Sequence, residues 1–430
     1  MNTAYVKNLK TPIAIIGLGK SGTSALALLR EFGFNEAQLA TYDSNDASAT
    51  FKTVDKLLSF SPKTLVVSPG VPLNSSWIQT LLAEGVVVTS EINLAASLLT
   101  TENLIGVTGS VGKSTIVSLL GAGATSFDKN AFIGGNIGIP FCDYALGVLR
   151  GKPRAVWVVL ELSSFQLENC DKLSLNFSIV SFLSSNHLER YASLEDYYAK
   201  KLHITSITKE LCLFNKSSKN CNVYAPQSKS RFKLVNAQNF SCYELLPQVF
   251  LIGPHNQDNF SLASEMARIC KWPEASLIEM ARYRGLPHRL EFVVEIKGVT
   301  FVNDSKATAM ESVLVAVNGC LEKISAEGRV YLLLGGKDKN LPWEELAVFS
   351  ENEKILPVFF GACGELAKKK TGLAGEFFEK LGSAINFCQK RSRSGDIVLL
   401  SPGGTSLDEF KNFEERGDFF KTIVLSALGV

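Results

Sequence analysis

GVTGSVGKST occupies residues 106–115, directly behind the apolar run Leu104–Val107 and ahead of the helix-like stretch IVSLL. An apolar strand that opens through glycines into a lysine, two hydroxyls and a helix is the pattern of a phosphate-binding loop. Its backbone N–H groups turn inward around phosphate oxygens, Lys113 adds positive charge, and Ser114 or Thr115 can reach a phosphate-bound magnesium ion. Gly109, Ser110 and Gly112 complete the cradle. Strict GxxxxGK[ST] spacing would place glycine at 107, where the chain has Val107; the glycines fall at 106, 109 and 112. A nucleoside triphosphate held there implies a coupled reaction, and the strand–loop–helix order implies a parallel α/β sheet around it.

Working outward, the preceding hundred residues alternate short apolar runs with helical lengths. PIAII (12–16), LATYD (39–43), TLVVS (64–68) and VVVT (86–89) read as buried parallel strands. Gly17-Leu-Gly19-Lys20-Ser21-Gly22 forms a GxGxxG turn, and Asp43 ends the next strand about 20 residues on, as in a dinucleotide-binding unit. By itself that turn suits NAD, any anionic nucleotide resting on a helix N-terminus, or no ligand at all. After the phosphate loop come VWVVLEL (156–162), FSIVSF (177–182), LCLF (211–214) and VFLIG (249–253), with the polar stretch 215–243 read as a peripheral excursion. FVVEIKGVTFVNDS (292–305) predicts a hairpin turning at Lys297-Gly298. VYLLLGG (330–336), PVFFG (357–361) and DIVLLSPG (396–403) then each end at glycine. The expectation is three α/β domains: a Rossmann-like one over 1–100, a phosphate-loop ATPase-like parallel sheet over 101–285, and a second Rossmann-like one over 286–430.

A charged fraction of 20% and a net charge of +2 give no reason to expect nucleic acid or an anionic membrane as partner. Nine scattered cysteines without a CxxC argue against zinc and against a disulfide framework. The N-terminus lacks the apolar stretch of a signal peptide and no run approaches a membrane span, so a reducing cytoplasm is the expected compartment.

Polar residues cluster at predicted strand ends. Glu161 closes a strand at the edge where α/β sheets place ligands, either as a magnesium ligand or as a surface acid capping the next segment. His187 follows another strand among polar residues; Lys200-Lys201 read by charge alone as a solvated helix face. Asp304 and Lys306 can meet ribose hydroxyls and phosphate, and Lys339 and Ser406 each follow a glycine turn. Three glycine-rich strand ends with lysine or hydroxyl neighbours point to a multi-substrate anion site.

Ten motifs occur in the order of the Mur ligases: GVTGSVGKST, GGNIG (134–138), ELSSFQLE (161–168), NHLERY (186–191), YYAKKL (197–202), GPHNQDN (253–259), LPHR (286–289), NDSKAT (303–308), LLGGKDK (333–339) and SPGGTSLDEFKNFEERGD (401–418). The chain thus resembles these ATP-dependent amide-forming enzymes of peptidoglycan precursor synthesis over nearly its whole length. The GLGKSG start, VVSPGVP (66–72), the compact length and the LDEFKNFEERGD ending are most similar to the member that adds D-glutamate to UDP-N-acetylmuramoyl-L-alanine. DNPR, the mark of the diaminopimelate- or lysine-adding member, is absent.

The resemblance implies an acyl phosphate formed from the alanyl carboxylate and ATP, then attacked by the D-glutamate amine. It implies two magnesium ions, one on Ser114 or Thr115 and Glu161, the other on His187 and a carbamylated Lys201. Asn256, Asn259, Arg289, Asp304 and Lys306 would hold ATP. Gly19, Lys20, Ser21, Gly22, Asp43, Ser44, Ser68 and Asn136 would hold the UDP-substrate, and Thr308, Lys339, Ser406 and Phe413 D-glutamate. A monomer without nucleic-acid or membrane partners is expected. The chain departs from the family pattern at Val111, Phe182 and Asn186, where Asn, Asn and Asp are usual, and at Ala309, where Asn is usual; a changed magnesium demand is the expected consequence.

Other readings are a folylpolyglutamate synthetase-type ligase, a non-catalytic binding relative, and an NAD-dependent dehydrogenase. The first carries its phosphate loop close to the N-terminus, without a hundred residues before it. The last leaves the phosphate loop unexplained.

Overall fold

The computed structural model describes residues 3–184, 190–239, 250–251 and 253–426. Three sheets follow one another along the chain. β1 (Ile13–Ile16), β2 (Leu39–Tyr42), β3 (Thr64–Val67) and β4 (Val87–Thr89) form a parallel sheet in the order β2-β1-β3-β4. Chain direction across this sheet reverses beside β1, so the carboxyl ends of β1 and β3 open a crevice of the kind that receives ligands. Gly17 leaves β1 at φ 86°, and the helix Lys20–Glu31 starts from Gly19.

The second sheet comprises β5 (Asn103–Thr108), β6 (Phe132–Gly135), β7 (Trp157–Glu161), β8 (Leu175–Val180), β9 (Thr208–Asn215) and β10 (Arg231–Val235), in the order β10-β9-β8-β5-β7-β6 and parallel throughout. β5 is central, so the phosphate loop leaves the middle of the sheet with β7 and β8 on either side. Two expectations fail here. VFLIG contributes no strand among its described residues, Phe250, Leu251 and Gly253. The edge strand is β10, inside the stretch read as a peripheral excursion. Arg231, Phe232 and Lys233 are exposed on it, so it lacks the buried apolar run of an interior parallel strand.

The third sheet contains β11 (Glu291–Ile296), β12 (Val299–Asn303), β13 (Val330–Gly335), β14 (Ile355–Phe360), β15 (Glu376–Phe378) and β16 (Ile397–Gly403), ordered β11-β12-β16-β13-β14-β15. Only β11–β12 is antiparallel, and its turn has Lys297 and Gly298 at φ 52° and 76°, the two positive values of a type I′ hairpin.

By contact density the chain divides into two compact units: Met1–Tyr243 with Asp258–Met280, and Glu244–Gln257 with Ala281–Val430. In the first unit a core shared by the first two sheets runs from Ile13, Leu28 and Ile92 through Phe141 to Leu104 and Leu160, and a smaller one with Ala14, Leu65 and Ile78 covers the other face of the first sheet. In the second, alternate residues of each strand enter opposite layers. Leu332 and Leu399 pack with Val317 and Trp343, while Leu333 and Val398 pack with Ile385 and Phe420. Burial on both faces explains the unbroken apolar runs by which these strands were legible. Among the described residues no helix is long and apolar enough to cross a membrane.

Candidate active site

The phosphate loop is shaped by close approaches that only glycine permits. Gly109 and Gly112 take φ 144° and 90°, and Gly112 caps the helix Lys113–Thr125. A Cβ on Gly109 would come within 2.1 Å of Ser181 Oγ, and one on Gly112 within 2.5 Å of Asn259 Oδ1. Ser110 ties the loop down: its hydroxyl donates to Ser184 O (2.7 Å) and accepts from Ser184 N (3.0 Å) and Tyr197 OH (3.2 Å). Ser114 and Thr115 stand, half-buried, in the first helical turn beside Lys113. Val111 points outward, 57% exposed, and pairs as an antiparallel bridge with Phe182, so two of the departures from the family pattern face each other. Asn186 and His187 lie outside the described residues.

Lys113 Nζ donates to Gly109 O (2.9 Å) and Ser110 O (3.1 Å), and Lys201 Nζ donates to the same Gly109 O at 2.8 Å. Lys201, expected on a solvated helix face, is 2% exposed and lies over the Tyr197 ring. Burial, then the charge of Lys113, pushes its pKa down to about 7, against an opposing pull from Glu161. Glu161 ends β7 in register with Val107 of β5, which puts its carboxylate beside the loop. It is buried; Oε1 accepts from Asn136 Nδ2 (2.8 Å), while Oε2 has no partner among the described residues. Of the two readings open for this acid, the buried position excludes a surface cap.

An unpartnered buried carboxylate oxygen, adjoining helix-terminal hydroxyls and a loop that can hold phosphate, fits a hard divalent cation. Magnesium typically takes one or two carboxylates and leaves its other positions to water and phosphate.

Of the eight residues expected to hold the UDP-substrate, seven line one cavity of about 460 Å³ at the crevice of the first sheet: Gly19, Lys20, Ser21, Asp43, Ser44, Ser68 and Asn136. Gly22 is not among the lining residues; a Cβ there would meet Gly17 O at 1.9 Å, so this glycine permits close helix–strand packing. Asp43 accepts from the backbone N–H of Leu18 (2.8 Å), Asn45 (2.9 Å) and Asp46 (3.2 Å), and these bonds, the one from Leu18 foremost, hold its pKa below the usual value. It shapes the glycine turn from the end of β2. Ser68 Oγ donates to Gly17 O (2.8 Å) across the crevice.

In the second unit the carboxyl ends of β12, β16 and β13 are neighbours, so NDSKAT, SPGGTS and GGKDK share one edge. Reciprocal backbone bonds between Lys337 and Thr405 join the loops bearing Lys339 and Ser406. Lys339 is exposed, Thr308 half-buried and Ser406 buried. Lys306 lies 5.3 Å from the Phe413 ring, and its pKa is lowered by burial and by Arg289, which is itself exposed. Asp304 is 5% exposed, with Oδ1 accepting from Leu290 N (3.1 Å) and Oδ2 from Ser401 Oγ (2.8 Å); burial raises its pKa to about 7. Asn256 and Asn259 are buried in the helix Pro254–Ile269.

One residue of this edge escaped the sequence reading. Arg416 is fully buried and donates from Nε to Ser305 Oγ (3.0 Å), from Nη1 to Gly404 O (3.0 Å) and from Nη2 to Ser305 O (2.8 Å). It clamps the ends of β12 and β16, and burial lowers its pKa to about 10. An arginine amid the charges of FEERGD carries no signal that it will be inside.

The Mur ligase middle domain, as a family, matches residues 107–243. UDP-N-acetylmuramoylalanine–D-glutamate ligase of Haemophilus influenzae is 33% identical over 98% of this chain and 98% of its own. The enzyme of the same name from Acidobacterium capsulatum is 31% identical over 97% and 96%. Among solved structures, the MurF ligase of Thermotoga maritima in complex with ADP aligns with a TM-score of 0.56 at 16% identity, covering 87% of this chain and 92% of that one. UDP-N-acetylmuramate–alanine ligase from the same organism aligns at 0.55 and 16%, over 97% and 100%. The structural likenesses establish the fold, and the full-length sequence likenesses establish more: the chain belongs to the UDP-N-acetylmuramoylalanine–D-glutamate ligase family of Mur ligases.

Proposed function

We propose that the protein joins D-glutamate to the alanyl carboxylate of UDP-N-acetylmuramoyl-L-alanine, with ATP cleaved to ADP and phosphate, in peptidoglycan precursor synthesis in the cytoplasm. Beyond family membership, the observation that carries this reading is the buried Glu161 Oε2, unpartnered beside a phosphate loop. A carboxylate and an amine by themselves form only a salt, so the acid must first acquire a leaving group. Phosphoryl transfer to the alanyl carboxylate supplies one, and the amine then displaces phosphate through a tetrahedral intermediate.

The loop amides from Gly109 to Gly112, with Lys113, would hold and neutralise the β- and γ-phosphates. Ser114 or Thr115 and Glu161 would hold a magnesium ion, which when bound neutralises charge developing on the transferred phosphate. His187 and Lys201 are proposed for a second ion. An ammonium would repel that ion, whereas a carbamate formed on Lys201 would attract it. A pKa of about 7 makes roughly a thousandfold more of the amine neutral and reactive at pH 7 than an ordinary lysine would offer.

The 460 Å³ cavity is assigned to the uridine diphosphate, with Lys20 and the N-terminus of the helix Lys20–Glu31 facing the phosphates. Asn256, Asn259, Arg289, Asp304 and Lys306 are assigned to the nucleotide, and Thr308, Lys339, Ser406 and Phe413 to D-glutamate. Asp304 and Asn136 would exchange bonds they already make to do so. The three regions 1–100, 101–285 and 286–430 would then serve the UDP-substrate, ATP and the amino acid in turn, in a monomer.

Phosphate release from ATP with magnesium and UDP-N-acetylmuramoyl-L-alanine, measured across amino acids including both glutamate enantiomers, tests this. Release with D-glutamate and a matching peptide product is expected. Silence across the panel would overturn it, and release with another amino acid would reassign the specificity.

A further inference from the structure

Arg190, in the NHLERY motif, has no part in the chemistry above, yet its side chain is only 14% exposed and every group around it is specific. Nη1 donates to Pro69 O (2.9 Å) and Nη2 to Val71 O (3.3 Å), 121 and 119 residues away in sequence. Glu168 Oε2 lies 3.6 Å from Nη2, and the guanidinium carbon stands 3.9 Å above the centre of the Phe165 ring. Phe165 is held in turn: it belongs to the short helix Ser164–Leu167, which Ser163 and Gln166 close with a reciprocal capping box directly behind Glu161.

The two carbonyls that Arg190 grips sit in the turn after β3, where Val71 N also donates to Ser68 O (3.0 Å). Ser68, Pro69 and Val71 all line the 460 Å³ cavity. We infer that Arg190 is a positioning residue for the nucleotide-sugar end of the reaction: reaching from the phosphate-loop sheet, it fixes the 68–71 wall of the cavity in the first sheet. This rests on the assignment of that cavity to uridine diphosphate.

The geometry demands arginine. A planar fork stacked on a ring can serve two carbonyls and a carboxylate together, whereas a lysine ammonium on a flexible stem cannot keep the stack and both bonds. The guanidinium also connects to the other substrate's loop. Tyr191 stacks on Phe165 (5.9 Å, 21°) and abuts Tyr197 (5.3 Å), whose hydroxyl donates to Ser110 in the phosphate loop. The wall of one substrate site and the loop of the other are thus joined by a chain of ring contacts, of which Arg190 touches only the Phe165 end.

The test compares wild type, Arg190→Met and Arg190→Lys, with calorimetric titration of UDP alone and steady-state kinetics for all three substrates. For Arg190→Met, the Kd for UDP and the KM for UDP-N-acetylmuramoyl-L-alanine should rise at least about tenfold, with kcat and the KM for ATP within about threefold. Arg190→Lys should recover little of this; if Arg190→Met fails to fold, the lysine variant decides by the same titration. Wild-type UDP affinity in the variants overturns the inference. So does a loss spread evenly over all kinetic constants, which marks a merely structural residue. Failure of the wild type itself to bind UDP overturns the cavity assignment, and the inference with it.

Discussion

Glu161→Gln should strengthen the fold while disabling the reaction. Glu161 is 3% exposed and only one of its two carboxylate oxygens is paired, by Asn136. A buried acceptor left without a partner costs about 1–3 kcal/mol, and more when it is charged. Glutamine keeps an oxygen for Asn136 Nδ2 and replaces the anion with a neutral amide, whose own unpaired N–H groups cost something at the low end of that range. At pH 8.5, where Lys201 with its pKa of about 7 is neutral and gains little from the anion, the net gain for protein freed of metal by chelator is about 1–2 kcal/mol, or a melting temperature raised by roughly 1–4 °C. The opposite sign is expected for magnesium. Loss of the anionic ligand should raise the concentration for half-maximal turnover about 100-fold, about 2.7 kcal/mol. Scanning calorimetry in chelator at that pH and a magnesium titration of phosphate release read the two effects on the same preparation. A variant that melts below wild type in chelator, or turns over with the wild-type magnesium requirement, would refute the view of Glu161 as a carboxylate held ready for a cation.

Glu91 offers a pH test away from the chemistry. It is buried, its carboxylate accepts from Cys142 N, and burial, abetted by Asp143, raises its pKa from 4.5 to about 7. Between those values the native state holds a proton that the unfolded state has released, so stability falls as pH rises through this window and levels off above 7. At about 1.4 kcal/mol per pH unit the loss is about 3 kcal/mol. Glu91→Gln should thus melt higher than wild type at pH 8 and equally near pH 4; a difference independent of pH would count against it. For Lys201→Ala, turnover should vanish and return in part with acetate or another small carboxylate, since the carbamate is proposed to supply an anion. No recovery at any concentration would leave Lys201 acting as an amine.

Most of the architecture could be read from the chain because parallel strands buried on both faces are unbroken apolar runs, as in Val330–Gly335 and Ile397–Gly403. What escaped was what lacks that mark. β10 is an edge strand with Arg231, Phe232 and Lys233 in solvent, and β6 and β15 are runs of four and three residues. The candidate site divides the same way. Glycines at 17, 109 and 112 announce themselves because their backbone conformations exclude most other residues. The burial of Lys201 and Arg416, the orphaned oxygen of Glu161 and the grip of Arg190 on Pro69 and Val71 arise from tertiary neighbours, some more than a hundred residues distant. A charged side chain in a helical stretch reads as solvated until its surroundings are known.

The crowding around the phosphate loop also governs how its sequence can drift. Ser181 stands where a side chain at 109 would go and Asn259 where one at 112 would go, while Ser110 is spoken for by Ser184 and Tyr197. Position 111 alone of these four projects its side chain into open solvent, while its backbone bridges to Phe182 and accepts from Ser181 Oγ. Substitutions accepted during the divergence of this lineage would therefore collect at 111, and a change there would be felt first at 182. Val111 and Phe182 occupy that pair here, in the one part of the loop where a side chain meets open space.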